Sequence, residues 1–488
     1  MPQADERREL DGRILRSSGW VALSWGGRNL LSMLALLLLV RLLEPSAFGL
    51  FAVASTIVLV LQAVQESGVG SALIYKRGDL DRAASSAFVF SAAAGAVFAL
   101  ALFAAAPLVA LGFGIPGATN VVRAMSLLVL IRGFSVGPGA LLERDMDFRS
   151  RTKGELGAGF AQVAASIGLA LAGFGVWSLV AGQVLAAVVQ TVVFWRSVTW
   201  RPRLRLADWG ILRELMRYGQ YISAGNLVGI VNKMVDSLVV GRVLGAGALG
   251  LYTVIFRLAD LPTSVIGYVV GRVMFPAYAQ LRDEPEAFRR AFVQTLQRVA
   301  LFALPIAVGL FVAAQPLVLT LLGRDWLPGV PALRILAVYT VVRGFASPCG
   351  TVFQASGRPH LVPLWALPQT IVFIPALAVL VPWLGVTGAA FATLIAFSSS
   401  GIPAFLVTLR LLHLGLAELG RALAAPLLCT ALAGGAAAAL LPVTRGAAPA
   451  GALAVLLGTG LAVYTVATAV FARSTIGPMW VSLRGSKA

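Results

Sequence analysis

The chain has 488 residues, 58% of them hydrophobic and only 12% charged, with a mean hydropathy of +0.86 and a formal net charge of +18. Soluble domains carry about a quarter charged residues, so a chain this apolar would leave greasy surface in water, which excludes a cytosolic globular enzyme. The 39 Lys and Arg against 21 Asp and Glu are read by position rather than as a nucleic-acid footprint, because membrane proteins gather Lys and Arg in their cytoplasmic loops. Nucleic acid is not an expected partner. Cys349 and Cys429 both sit in apolar runs, so no disulfide framework is expected, and His360 and His413 are too few to hold zinc alone. The expected fold class is an all-α polytopic membrane protein.

Residues 1–18 form a polar, charged tail without the short apolar core and cleavage site of a signal peptide. A helix needs about 20 apolar residues to cross the hydrocarbon. Runs of that kind predict spans over 19–43, 48–74, 85–111, 121–142, 155–174 and 176–196, a first six-helix lobe covering 19–196. A basic linker, 197–214, leads to spans over 215–243, 248–278, 297–322, 331–356, 361–382 and 385–411, a second six-helix lobe covering 215–411. Two Ala- and Gly-rich spans, 418–441 and 450–472, make up a C-terminal pair within 412–472, and 473–488 is a tail. This gives about 14 spans. The shortest cuts are the turns GFGVW (173–177) and VPWLGVTG (381–388), and misreading either would lower the count. With the N-terminus inside, 27 Lys and Arg fall in inner segments and six in outer ones, which predicts that both termini are cytoplasmic. Trp177, Trp326 and Trp383 are expected in an outer aromatic belt, Trp20, Trp195 and Trp200 in an inner one.

The two lobes echo one another. RLLEPSAFGLFAV (41–53) matches RVLGAGALGLYTV (242–254), pairing Arg41 with Arg242 and Gly49 with Gly250, while IRGFSVGPG (131–139) matches VRGFASPCG (342–350). Six spans separate the copies, so the repeats are parallel about an axis along the membrane normal, an arrangement that transporters use. A central cavity between such lobes is the expected architecture.

Inside the spans lie Arg28, Arg132, Lys233, Arg257, Arg272 and Arg343, with Asp236 and Asp260. Each such charge costs about 2.5–3.5 kcal/mol on insertion scales and should face protein or water rather than lipid. Polar or small residues share their helical faces: Ser17, Ser24 and Ser32 with Arg28, Asn226 and Gly229 with Lys233, Thr253 and Ser264 with Arg257, and Tyr339, Ser347 and Gln354 with Arg343. Two readings stand. Lys233 with Asp236 and Arg257 with Asp260 are i, i+3 pairs that neutralise locally. Alternatively, the surplus of basic groups draws an anion into a wet cleft, and Arg suits a phosphate through its planar fork of donors. Arg28, Arg132 and Arg343 have no acid nearby in sequence; Glu66 and Glu155 are candidate partners. Pro348 is expected to break the span-10 helix and free backbone groups beside Arg343. Asp236 and Asp260 are candidates for ion coupling.

Catalytic signals are few. There is no P-loop, and Asp145 with Asp147 forms a DxD triplet only inside ERDMDFRSRTK, a loop crowded with basic residues and without a βαβ setting. A salt-bridged loop is the reading taken, and neither cofactor nor enzymatic activity is expected.

The stretches RLLEPSAFGLFAVAS, ESGVGSALIYKR, GRVLGAGALGLYTVIFRLADLP, VMFPAYAQLRDEPEAFRRAF and LRILAVYTVVRGFASPCGTVFQASGRPHL resemble the Wzx-type polysaccharide flippases, especially the WzxC-like branch, over residues 15–410. That family belongs to the multidrug/oligosaccharidyl-lipid/polysaccharide superfamily. The resemblance implies twelve or fourteen spans in two six-helix lobes, and translocation of undecaprenyl-diphosphate-linked oligosaccharides across the inner membrane for surface polysaccharide assembly. It implies membrane lipids and polymerase machinery as partners. By the same resemblance, Arg28, Arg132, Lys233, Arg257 and Arg343 would meet the diphosphate. A cation-coupled multidrug exporter of the superfamily is the alternative, disfavoured by the basic surplus because organic cations need anionic partners. A polymerase or ligase ranks third, since no outer loop is long enough to house an active site.

Overall fold

The computed structural model describes Trp20, Leu23 and residues 26–66, 73, 79–358, 361–444 and 446–471, without the side chains of 66, 204, 214, 215, 217–230, 268, 269, 272, 273, 276 and 362–366. Expectations placed on the tails, on Ser17, Ser24 and His360, and on the side chains of Glu66, Asn226 and Arg272 lie outside the described residues. Every described element is a helix or helical turn. In hydrocarbon each backbone N–H and C=O must find an internal partner, and a helix achieves this within one segment. Ten described helices are long and apolar enough to span a bilayer, or eleven if a pair bent by 40° is one span. Residues 26–42 add a further helix, and two of the ten contain a glycine break, so the architecture is consistent with fourteen segments. Leu100, Leu108, Leu171 and Ile371 are among many large apolar side chains left exposed along these helices, as expected where lipid is the solvent. This is a multi-pass membrane protein.

The chain forms two compact units, Met1–Gly250 and Leu251–Ala488. The first contains helices Pro45–Glu66, Leu80–Gly112, Thr119–Gly133, Val136–Arg144, Phe148–Leu171 and Val176–Ser197. Asp79 caps the second of these by accepting from the Arg82 N–H at 3.2 Å. Asp147 caps the Phe148 helix through the Ser150 N–H at 3.1 Å, so half of the DxD triplet is a helix N-cap. The GFGVW turn is real: Gly173 (φ 83°) and Gly175 (φ 55°) take left-handed conformations that close it. Residues 197–208 do not hang free. The Ser85 and Ser86 hydroxyls accept from the Arg203 and Asp208 N–H groups at 3.3 and 2.9 Å. Trp195 and Trp200 stack at 6.1 Å beside Phe88, so these tryptophans pack on one another.

In the second unit the helices Pro285–Val312, Val330–Ala355 and Leu416–Ala439 gather around Tyr278, Phe288, Phe292, Leu296, Val352 and Leu419. The Leu361–Leu411 run holds a break at Gly385 (φ 59°, ψ −137°), inside the predicted VPWLGVTG turn. The C-terminal helices are tied in: Tyr464 donates to the Leu301 carbonyl at 2.6 Å, and Arg289 pairs with Glu418. Two expectations are corrected here. Trp326 is 1% exposed, a core residue rather than a belt residue. Pro348 sits inside an unbroken helix, Val330–Ala355; the break falls instead in the equivalent part of the first unit, between Gly133 and Val136.

The repeat also appears in the packing. Arg123 lies 5.4 Å over the Phe103 ring in one unit and Arg334 lies 5.9 Å over Phe311 in the other. The two arginines keep the same spacing from Arg132 and Arg343 within their copies.

Candidate functional site

The charges predicted for the membrane interior are not equivalent once folded. Arg343, on the Val330–Ala355 helix, pairs with Asp260 on the Trp209–Val269 helix, 83 residues away. Tyr339, one turn before Arg343, accepts from its guanidinium at 2.7 Å and donates to Asp260 at 3.3 Å. Thr263 donates to the Asp260 carboxylate at 3.2 Å, and Thr340 fixes the two helices by donating to the Ala259 carbonyl at 3.1 Å. The guanidinium lies 5.9 Å over the Tyr339 ring and 5.8 Å over that of Phe397. Those two rings meet edge to face at 4.8 Å. Three helices thus fix one arginine between a carboxylate, a phenol and two aromatic faces.

The side chains of Arg343 and Asp260 remain 35% and 24% exposed. A charge in the bilayer interior that keeps a third of its surface must meet an accessible space rather than lipid. The reading of Arg343 as lacking an acid is corrected: the partner comes from another helix, where neither i, i+3 nor i, i+4 spacing reveals it. The Asp260 carboxylate, which spacing offered to Arg257, reaches across to Arg343.

The remaining candidates are more dispersed. Arg257 is exposed one turn before Asp260, on the same helix. Lys233 is exposed, whereas Asp236 is 8% exposed and accepts from Ser237 at 3.1 Å. Arg28 is exposed and Arg132 half-buried. Glu155 is taken by Arg151 at 3.1 Å, so this acid serves a junction that also holds Glu143. Sequence reasoning missed Gln65, which is 1% exposed and donates to the Ser91 and Val129 carbonyls at 3.1 and 3.4 Å. Two amides a turn apart, Gln62 and Gln65, at the end of a long apolar run were its only signal. Thr263 and Phe397 were also missed.

A cavity of about 600 Å³ opens in the second unit among Phe302, Gly309, Thr430, Gly434, Leu457 and Tyr464. No charged side chain lines it, so it offers no seat for an anion. No group of three or more His, Cys, Asp or Glu among the described residues has the geometry to hold a metal ion.

A family model described as "Polysaccharide biosynthesis protein" matches residues 38–331. The chain is 29% identical over 373 residues to the succinoglycan biosynthesis transport protein ExoT of Rhizobium meliloti, covering 75% of this chain and 74% of that one. It is 24% identical to the lipopolysaccharide biosynthesis protein WzxC of Escherichia coli, covering 72% and 71%. Among solved structures it is similar to the lipid II flippase MurJ in an inward closed conformation, with a TM-score of 0.75 at 14% identity over 94% of this chain and 99% of that one. It is also similar to a multidrug resistance MATE family transporter in an inward-facing conformation, with a TM-score of 0.64 at 19% identity over 79% and 94%. At these identities the structural likenesses establish the fold.

Proposed function

We propose, from the premise that this chain belongs to the polysaccharide biosynthesis protein family, that it is a transporter moving polyprenyl-diphosphate-linked oligosaccharides across the plasma membrane, with both termini cytoplasmic. The names of its relatives, a succinoglycan transport protein and a lipopolysaccharide biosynthesis protein, support that substrate class. The observation that carries the reading is the Arg343 cluster. A diphosphate brings more negative charge than one carboxylate and matches the guanidinium fork with two oxygens. It therefore displaces Asp260 from Arg343, while Thr263 still satisfies the released carboxylate and the Tyr339 hydroxyl turns to the incoming oxygen. Arg132, Arg28, Lys233 and Arg257 supply further cationic contacts along the path. No bond is made or broken in the substrate, so the chain is a carrier rather than an enzyme.

Purified protein in liposomes with a fluorescent polyprenyl-diphosphate sugar tests this directly. Wild type should move the label between leaflets. Measured per folded molecule, Arg343→Ala should lose about tenfold or more, Arg343→Lys should retain part of the rate because it keeps charge but not the fork, and Arg343→Glu should be inactive. Extrusion of cationic dyes without lipid transfer would replace this reading with a multidrug exporter, and lengthening of the glycan would replace it with a polymerase.

A further inference from the structure

The turn from the first to the second span and its repeat copy meet in a reciprocal contact. A methyl group on Gly49 would collide with the carbonyl group of Ala246, and one on Gly250 with that of Pro45. Pro45 and Ala246 are repeat mates, as are Gly49 and Gly250, at the same offset in RLLEPSAFGLFAV and RVLGAGALGLYTV. Each copy therefore presents a first-turn carbonyl to the other copy's glycine, and the contact maps onto itself when the copies are exchanged. Gly49 and Gly250 are both buried. Only a residue without Cβ permits this backbone approach.

The surroundings fit a joint that opens rather than a fixed weld. The contact consists of carbonyl oxygens against Cα groups, the weak class of hydrogen bond. Gly245, just before Ala246, takes φ 83° and ψ −178° and interrupts the helix, which lets the Ala246–Gly250 turn swing without unwinding what precedes it. Arg242 at the end of that preceding helix donates to the Leu111 carbonyl at 2.7 Å and lies beside Gly114 (φ 68°), where an added Cβ would come within 3.3 Å of the Arg242 Cδ. The helix before the break is thereby anchored, and the turn beyond it is free of that anchor.

We propose that Pro45–Gly49 and Ala246–Gly250 form a clasp on the outer side of the protein, shut in this conformation, that must part for the carried lipid head to leave. The proposal rests on the transport reading above. Cysteines at Ser46 and Gly247, one residue past the two contacting carbonyls, are joined by a cleavable bifunctional thiol reagent in a Cys349→Ala/Cys429→Ala background. The joined protein should transfer the fluorescent lipid at least about tenfold more slowly, and cleaving the link should restore the rate. Independently, Gly250→Ala should speed the reaction of a Phe48→Cys thiol with impermeant reagent several-fold, since Phe48 is 6% exposed with the clasp shut. Transfer within twofold of the unlinked rate after complete joining would overturn the clasp and leave the transport function standing. Failure of the pair to join would overturn it too. Absence of lipid transfer in the unlinked protein would instead defeat the functional reading, and the Phe48 labelling would then decide the clasp alone.

Discussion

Removing one member of the Asp260–Arg343 pair strands the other charge among Tyr339, Phe397 and Thr263. Breaking a fully buried pair costs about 3–5 kcal/mol; here the guanidinium is 35% exposed, which reduces the expected loss to about 2 kcal/mol. Arg343→Leu and Asp260→Leu should each lower the thermal midpoint. The double variant should return to within about 1 kcal/mol of wild type, because two apolar groups of similar bulk replace the pair; Leu59 already stands at the repeat mate of Asp260. Transfer should stay lost in the double variant. Thermal unfolding and lipid transfer of the three proteins check this. A double variant destabilised by the sum of the two singles would show that the pair is not coupled, and one that transfers normally would remove Arg343 from the site.

At the scale of elements, glycine placement explains where spans begin and end. Gly385 (φ 59°, ψ −137°) occupies a backbone region that side chains avoid at a cost of about 1–3 kcal/mol. Gly435, inside the Leu416–Ala439 helix, has nothing within 4 Å of an added Cβ. Gly385→Ala should lower the folded yield and thermal midpoint, while Gly435→Ala should not; equal behaviour of the two would mean that the break at Gly385 is not a required turn. The turns at GFGVW and VPWLGVTG were legible because Gly is the residue that tolerates their dihedrals, and the apolar runs were legible because hydrocarbon admits helices. What stayed hidden depends on neighbours distant in sequence. Pro348 lacks an N–H, yet packing keeps Val330–Ala355 helical through it, whereas the first unit bends at Phe134–Ser135, one turn before Pro138, whose ring crowds the Phe134 carbonyl. Trp326 reads as an interfacial aromatic, yet it is 1% exposed. Asp260 finds Arg343 only through the crossing of two helices, so the site residue was visible and its chemistry was not.

For the whole molecule, the distribution of charge predicts a sidedness that thiol labelling can read. Inner segments hold 27 of the 39 Lys and Arg under the assigned orientation, and that bias sets insertion through the cost of moving cations across the bilayer. Under that orientation four exposed positions should sample both faces, Gly117 and Arg324 the outer and Arg149 and Arg358 the inner. Trp383, 85% exposed just before the Gly385 break, is a fifth, expected on the outer side. Single cysteines at each, in a chain whose buried Cys349 and Cys429 are replaced by Ala, can be treated with impermeant reagent on intact cells and again after permeabilisation. Gly117→Cys, Arg324→Cys and Trp383→Cys should react on intact cells, Arg149→Cys and Arg358→Cys only after permeabilisation. Placing Gly117 and Arg324 on one side requires an even number of crossings between them, which fails if the Gly173–Gly175 turn is not a true reversal. Placing Trp383 opposite Arg358 requires the Leu361–Leu411 run to cross before Gly385. Reaction of all five from one side would break the orientation outright. Inner-side results for Arg324 and Trp383 together with an outer-side result for Arg358 would show that one crossing between Arg149 and Arg324 has been counted twice.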